Sequence, residues 1–309
     1  MDNLTHSLVG LMLARAGLEK TTPHGTAMMV LAANSPDIDA VVWFGGVMPY
    51  LEWHRTYSHA FAFAPLVALL PMLLARARFS WPSFLASLIG VFSHLLLDWT
   101  NAYGVPLALP FSWHRFRLDT VNIFDPWIWV ILLGAVVAMA LARRVRVGSR
   151  SGWARVALAV LLVFEGARIV THSRAIDVMS AQRYEGAAPQ RVTALPDPFN
   201  PLAWRGVIEG PGFAEIVPLD LAENFNARGG RLYRAAAPTP AMDAALRTPP
   251  FQVFIRWSQL PFWRVTPVEG GLRLDLIDLR FGAPDRPGFA SVSAIVDRSG
   301  KVLRAGFGL

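Results

Sequence analysis

The sequence predicts an α-helical membrane bundle, four strong spans plus two shorter N-terminal helices, followed by a sheet-rich α+β extramembrane domain. Three observations lead there. Of 309 residues, 53% are hydrophobic and only 17% charged, a balance suited to a chain partly immersed in lipid. Several apolar runs approach the roughly 20 residues that a helix needs to cross a bilayer. After residue 172 these runs stop, prolines multiply, and short alternating segments take over, as in strands separated by turns.

Taken in order, 6–18 (HSLVGLMLARAGL) and 24–44 (HGTAMMVLAANSPDIDAVVWF) are short or interrupted by Pro36, so they read as spans, half-spans or buried helices. The strong spans are 58–75, 82–100, 126–142 and 153–170. Beyond them FQVFIRW, LRLDLIDLRF and FASVSAIVDRSGKVLRAG read as strands. The expected division is a membrane-embedded domain over 1–172 and an aqueous domain over 173–309.

Charge gives the orientation. If the spans alternate, Arg15, Lys20, Arg76, Arg78, Arg143, Arg144, Arg146, Arg150 and Arg155 fall on one side, which the bias of Lys and Arg toward cytoplasmic loops makes the cytoplasm. The loops 37–57 and 101–125 carry only Arg55, Arg115 and Arg117, and the C-terminal domain is expected outside, on a bacterial-type inner membrane. The net charge of +7 then follows from topology, and no nucleic-acid partner is expected. No cysteine is present, which excludes disulfides and thiolate metal sites and leaves His and carboxylates as ligands. The start, MDNLTHSLVG, has no basic n-region and does not read as a cleavable signal peptide.

This topology sorts the unusual polar residues to one depth. His6, Asp37 and Asp39, His54 and His59, and His94 with Asp98 all fall at the outer ends of their segments. Ionisable groups in a membrane are costly, so their convergence points to function. His94 and Asp98 stand four apart in a helix and share a face. In NSPDIDA, Pro36 disfavours helix at Ser35, and an extended turn would let Asp37 and Asp39 face one way. In HRTYSHA, His54 and His59 suit a loop followed by a first helical turn. Imidazole and carboxylate together suit zinc, and also manganese or iron. Asp125, before a proline, is either a helix N-cap or a further ligand. Glu165 with Arg168 reads as an intrahelical ion pair or a catalytic group. Arg55, Arg115 and Arg117 are candidates for binding phosphate or for snorkelling. Asn101 and Tyr103 are candidates for substrate contact or for supporting the ligands. His24, His114 and His172, without clustered carboxylates, read as structural.

As a set, the motifs THS, PDID, HRxxxHA, HLLLDWTNAYG and FDPW, with NPLAWR and LIDLRF in the tail, resemble the membrane-bound metal-dependent hydrolases, also described as LexA-binding, inner-membrane-associated hydrolases. The resemblance implies a hydrolase with a metal site carried onto His6, Asp37, His54, His59, His94 and Asp98. A more distant similarity, in the order His, Asp, His, HxxxD, is to zinc-dependent phospholipase C, a soluble helical fold that uses a zinc cluster on phosphodiesters. It departs from this chain in lacking a membrane region and in having a second His-x-x-x-Glu pair. The expected function is therefore hydrolysis of a phosphoester or lipid-like substrate by a metal-activated water at the outer membrane interface. Asp39 or Asp125 would be the general base, and Arg55, Asn101 and Arg115 would contact substrate. Membrane lipids are expected partners, and the C-terminal domain could bind a protein. The alternative is a non-enzymatic scaffold with a structural metal. Ion transport would need polar groups spread through the membrane, and here they gather at one end.

Overall fold

A computed structural model describes residues 1–145 and 149–308; Arg146, counted above among the cytoplasmic charges, lies outside the described residues. In chain order the helices are α1 (Asn3–Ala16), α2 (Gly25–Ala32), α3 (Val47–Trp53), α4 (Ala64–Val67), α5 (Leu69–Leu74), α6 (Trp81–Thr100), α7 (Pro126–Val145), α8 (Arg150–Ser180), α9 (Pro240–Leu246) and α10 (Pro249–Trp257). The strands are β1 (Arg191–Pro196), β2 (Ala203–Gly210), β3 (Phe213–Asp220), β4 (Arg231–Arg234), β5 (Pro261–Val268), β6 (Gly271–Asp278), β7 (Ser291–Asp297) and β8 (Val302–Gly306). The chain forms two compact units. One comprises Met1–Val41, Arg55–Ser173 and Pro196–Pro201; the other comprises Val42–His54, Arg174–Leu195 and Leu202–Leu309.

The first unit is helical. α1 starts at Asp2, whose carboxylate accepts from the Thr5 amide (3.0 Å) and hydroxyl (2.6 Å), satisfying an otherwise orphaned amide of the first turn. α6 starts on a capping box between Ser80 and Ser83. Among the described residues α6 and α7 are long and apolar enough to cross a bilayer, with a third span only if a bent pair between Val47 and Leu74 counts as one. α7 buries Ile128, Leu132, Ala135 and Met139 in a core shared with α1 and α8, and leaves Val130, Val137 and Leu141 exposed. An outward apolar face on a helix of this length suits an apolar medium.

Three predicted elements of this unit differ. The stretch 24–44 is not one helix: α2 ends at Ala32, and Ser35–Gly45 continues as a 3-10 helix rather than an extended turn. The 58–75 run is broken into 3-10 turns and the short α4 and α5. Pro65 and Pro71 remove amide donors there, and the Phe61 amide leaves the helical ladder for the Leu107 carbonyl, 3.0 Å away. The run 153–170 is helical within α8 but, with Arg155, Glu165 and Arg168 inside it, falls outside the set of sufficiently apolar spans.

The second unit carries two four-stranded antiparallel sheets, β1-β2-β3-β4 and β5-β6-β7-β8. Trp204, Ile208 and Val217 pack with Ala175 and Met179 of α8 beneath the first. In the second, the buried Asp278 carboxylate accepts from Arg280, Ser258 and the Gln259 amide. Burial alone would raise its pKa, but the Arg280 charge and these donors hold it below the usual carboxylate range. One predicted strand is a helix: FQVFIRW lies in α10. Its apolar residues fit both periods, but Thr248 followed by Pro249 and Pro250 opens a helix, and the residues buried are Phe251, Val253, Phe254 and Trp257, with Ile255 exposed. α10 packs on α3, where Arg256 donates to Glu52 (3.1 Å).

Candidate metal centre

Two glycines let three helices of the first unit meet closely. A Cβ on Gly10 of α1 would lie 2.8 Å from the Met29 carbonyl oxygen of α2, and one on Gly90 of α6 would lie 2.6 Å from the Ala32 Cβ. Close backbone approach of this kind is what small residues permit. His6 stands one turn before Gly10 and His94 one turn after Gly90, so the C-terminal end of α2 lies against both helices. There the Ala33 carbonyl accepts from His94 Nδ1 at 2.8 Å. This bond fixes the ring and, in the neutral tautomer it selects, leaves the Nε2 lone pair facing inward.

A second imidazole meets it. His59, at the end of the 3-10 turn Tyr57–His59, places Nε2 at 3.1 Å from His94 Nε2. On its far side Nδ1 lies 3.0 Å from Ser58 Oγ and 3.4 Å from Asp39 Oδ2. Ser58 donates its own proton to Asp39 (2.5 Å), so its oxygen is free to accept from Nδ1 and the His59 Nε2 lone pair also points inward. Two carboxylates complete the group. Asp37 Oδ1 lies 3.3 Å from His59 Nε2 and 3.6 Å from His94 Nε2. Asp98 Oδ2 lies 3.5 Å from each. The four residues are almost wholly buried, and Asp37 Oδ1 and Asp98 Oδ2 have no hydrogen-bond partner.

Two imidazole nitrogens and two carboxylate oxygens gathered in a buried site form a set that could hold a metal ion. Their spacing sets its size. Bonds of about 2.0 to 2.2 Å, usual for zinc with nitrogen and carboxylate oxygen, put the corners of a tetrahedron about 3.3 to 3.6 Å apart; the separation of the two imidazole nitrogens and those from each nitrogen to each carboxylate oxygen are 3.1 to 3.6 Å, and all four atoms lie within 4.8 Å of one another. The donor set fits a divalent first-row ion. Around it stand Arg55, buried at 5% exposure, whose Nε lies 3.1 Å from Asp98 Oδ2 and whose guanidinium stacks 4.6 Å over the Tyr103 ring, and the Met1 ammonium, paired with Asp98 Oδ1.

The remaining candidates take other places. Asp39 grips His59 from behind and accepts from the Arg55 amide (2.9 Å). Asn101 donates to Asp98 Oδ1 (3.2 Å) and accepts from the Tyr103 amide (2.8 Å). Asp125 caps α7, accepting from Trp127, Ile128 and Asn122 amides. Arg115 donates to the Gly104 carbonyl (3.3 Å), and Arg117 pairs with Asp119. Arg168 donates to the Thr120 and Pro201 carbonyls. Glu165, three residues before it, has both carboxylate oxygens buried. His24 stands at the N-cap of α2, and His114 is exposed against Phe116. His54 belongs to the second unit, stacked on Tyr50 with ring centroids 4.4 Å apart. Sequence reasoning missed Ser58 and the Ala33 carbonyl. Ser58 adjoins His59 in HRTYSHA, but nothing in its spacing marks it, and a backbone carbonyl carries no residue signal at all.

A family model described as YdjM inner membrane protein matches residues 1–175, a stretch that contains all four donors. The uncharacterized protein YfhP of Bacillus subtilis (strain 168) is 30% identical over 149 residues, which cover 44% of this chain and 45% of that protein. The chain thus matches less than half the length of this curated relative. No solved structure matches.

Proposed function

Because the chain belongs to the YdjM inner membrane protein family, we propose that residues 1–172 form a membrane-embedded, metal-dependent hydrolase domain acting on a phosphoester or lipid-like substrate. Its site would open at the outer face of the inner membrane, with residues 173–309 outside the cytoplasm as a domain able to bind a protein partner. The observation that carries this reading is the buried convergence of Asp37, His59, His94 and Asp98 with inward lone pairs at tetrahedral spacing. The outward apolar residues of α8, among them Val156, Val160, Val163 and Val170, support counting it as a fourth span despite its charges.

Asp37, His59, His94 and Asp98 would hold the ion, zinc by preference, with manganese or iron as the other candidates. A bound ion of this kind supplies a Lewis acid and lowers the pKa of water toward neutrality. The chain's own residues do the rest. Ala33 and Asp39 keep the two imidazoles in the ligating tautomer. Ser58 and Asp39 offer a route for a proton behind His59. Arg55 places a buried positive charge beside Asp98, where an anionic oxygen of a phosphoester would be recognised. Asp125, committed to its helix cap, is the weaker of the two bases considered.

A second reading, a scaffold with a structural metal, is favoured by one feature: four protein donors close a tetrahedron, as structural zinc sites do. Arg55 argues the other way, because a closed structural site gains nothing from a buried guanidinium at its edge. The test uses the full chain purified in detergent. Metal analysis should find a bound divalent ion, and a panel of lipid and phosphodiester substrates should be hydrolysed, with His94→Ala and Asp98→Ala abolishing turnover. Bound metal without hydrolysis of any substrate supports the scaffold, and absence of metal defeats both readings.

A further inference from the structure

In the second unit each sheet has an edge strand that the other sheet leaves unpaired, β4 in one and β5 in the other. The register fixes which backbone groups these edges offer, because residues of an antiparallel strand point their amide and carbonyl alternately toward the partner and away from it. On β4 the Ala235 amide donates to the Gly212 carbonyl (2.9 Å). Tyr233 and Arg231, in step with it, therefore bond to β3 opposite Ala214 and Ile216, and Leu232 and Arg234 turn their backbone groups outward. On β5 the two-residue turn 269–270 makes Val268 and Gly271 a hydrogen-bonded closing pair. Thr266 and Arg264 follow in step, so Val265 and Trp263 turn outward. Pro261 and Pro267, which have no amide proton to give a ladder, fall on the same outward set. They bracket the edge and leave Trp263 and Val265 as its open stretch.

Leu232, Arg234, Trp263 and Val265 all line one groove of about 320 Å³ between β4 and β5. Two open edges on one space form a place for an added strand. The charged residues of the lining are Arg234 and Arg264. Arg264 shares the Asp275 carboxylate with Arg273, so two guanidiniums stand against one carboxylate. Arg234 pairs with Glu185, and both are exposed, so a ligand carboxylate replaces Glu185 at little cost. We propose that this groove takes an extended, acidic peptide segment of a partner protein as an added strand, bonded to Leu232 and Arg234 on one side and to Trp263 and Val265 on the other. This gives a chemistry to the protein partner proposed for residues 173–309 and rests on that reading, not on the metal centre.

The test uses the full chain in detergent and a displayed library of random peptides of strand length. Enriched peptides are resynthesised with a dye, and their binding is measured by fluorescence anisotropy. They are expected to be acidic, to slow hydrogen exchange at the amides of Leu232, Arg234, Trp263 and Val265, and to bind about tenfold more weakly when N-methylated at alternate residues. Val265→Pro, which removes an outward donor and no bond to β6, should weaken binding by a similar factor. Should that variant not fold, Arg234→Glu at its exposed position decides, and it should weaken acidic peptides and favour basic ones. Enriched peptides that bind both variants as tightly as wild type overturn the groove and leave a partner site elsewhere on the domain. Self-association of the chain that Val265→Pro abolishes makes the occupant a second copy and overturns the peptide. No enrichment overturns both the groove and the partner reading.

Discussion

Opposite nitrogens of a single imidazole carry much of this centre. Asp37 lies against His59 Nε2 and Asp39 against His59 Nδ1, so two carboxylates two residues apart serve different ends of one ring. An orienting carboxylate of this kind contributes about 10- to 100-fold in metal affinity. Asp39→Asn is therefore expected to weaken metal binding by about that factor while the protein stays folded, measured by competition with a chromophoric chelator. Asp125→Ala should do the reverse, costing about 0.5 to 2 kcal/mol of stability through the lost cap of α7 and leaving metal affinity unchanged. Equal affinity losses in both would remove the distinction drawn between the two carboxylates. The sequence made His94 and Asp98 legible as a pair because four residues in a helix share a face. It also marked Pro36 as the break ahead of Asp37. It did not reveal that Asp37 and Asp39 would diverge, because that depends on the 3-10 conformation of Ser35–Gly45, in which residues two apart no longer face one way.

The helices position these side chains through contacts that hydropathy does not report. α2 is only eight residues long, too short to span a membrane, yet its last turn and the following Ala33 are what α1 and α6 close upon. The apolar runs announced α6 and α7, since length and composition suffice for a span. The break-up of 58–75 depends on what its freed backbone groups meet, and Leu107 lies 46 positions after Phe61, beyond any local pattern. α10 shows the same limit in the second unit, because FQVFIRW suits either period until its first turn is fixed by Pro249 and Pro250. The close approach of α6 to α2 gives a prediction at this scale. Gly90→Ala would set a methyl 2.6 Å from the Ala32 Cβ, and such overpacking costs about 1 to 3 kcal/mol. The strain would be relieved by moving α6 away from α2, lengthening the His94 to Ala33 bond. Thermal stability and metal affinity should fall together, whereas Gly134→Ala on α7, where a Cβ meets nothing within 4 Å, should leave metal affinity unchanged and raise stability slightly through alanine's better helix propensity.

For the whole molecule, the arrangement in the membrane follows from charge rather than from any contact. Arg15, Lys20, Arg76, Arg78, Arg143, Arg144, Arg150 and Arg155 share a side if an even number of crossings separates each group from the next, and the two sheets then lie on the opposite side only if α8 crosses despite Glu165 and Arg168. The cost of Arg168 is lowered because it is buried with its donors on backbone carbonyls. The proposed orientation puts the metal centre at the outer interface and the two sheets outside. The absence of cysteine makes this directly measurable, because each introduced thiol is alone in the chain. In intact cells a membrane-impermeant maleimide should label His114→Cys and Glu223→Cys, both at exposed positions, and should leave Lys20→Cys and Arg78→Cys unlabelled until the membrane is opened. Labelling of Lys20→Cys and Arg78→Cys alone in intact cells would invert the topology and place the centre at the cytoplasmic face. Labelling of His114→Cys but not Glu223→Cys would show that α8 does not cross, leaving the site where it is proposed and moving the two sheets to the opposite side of the membrane.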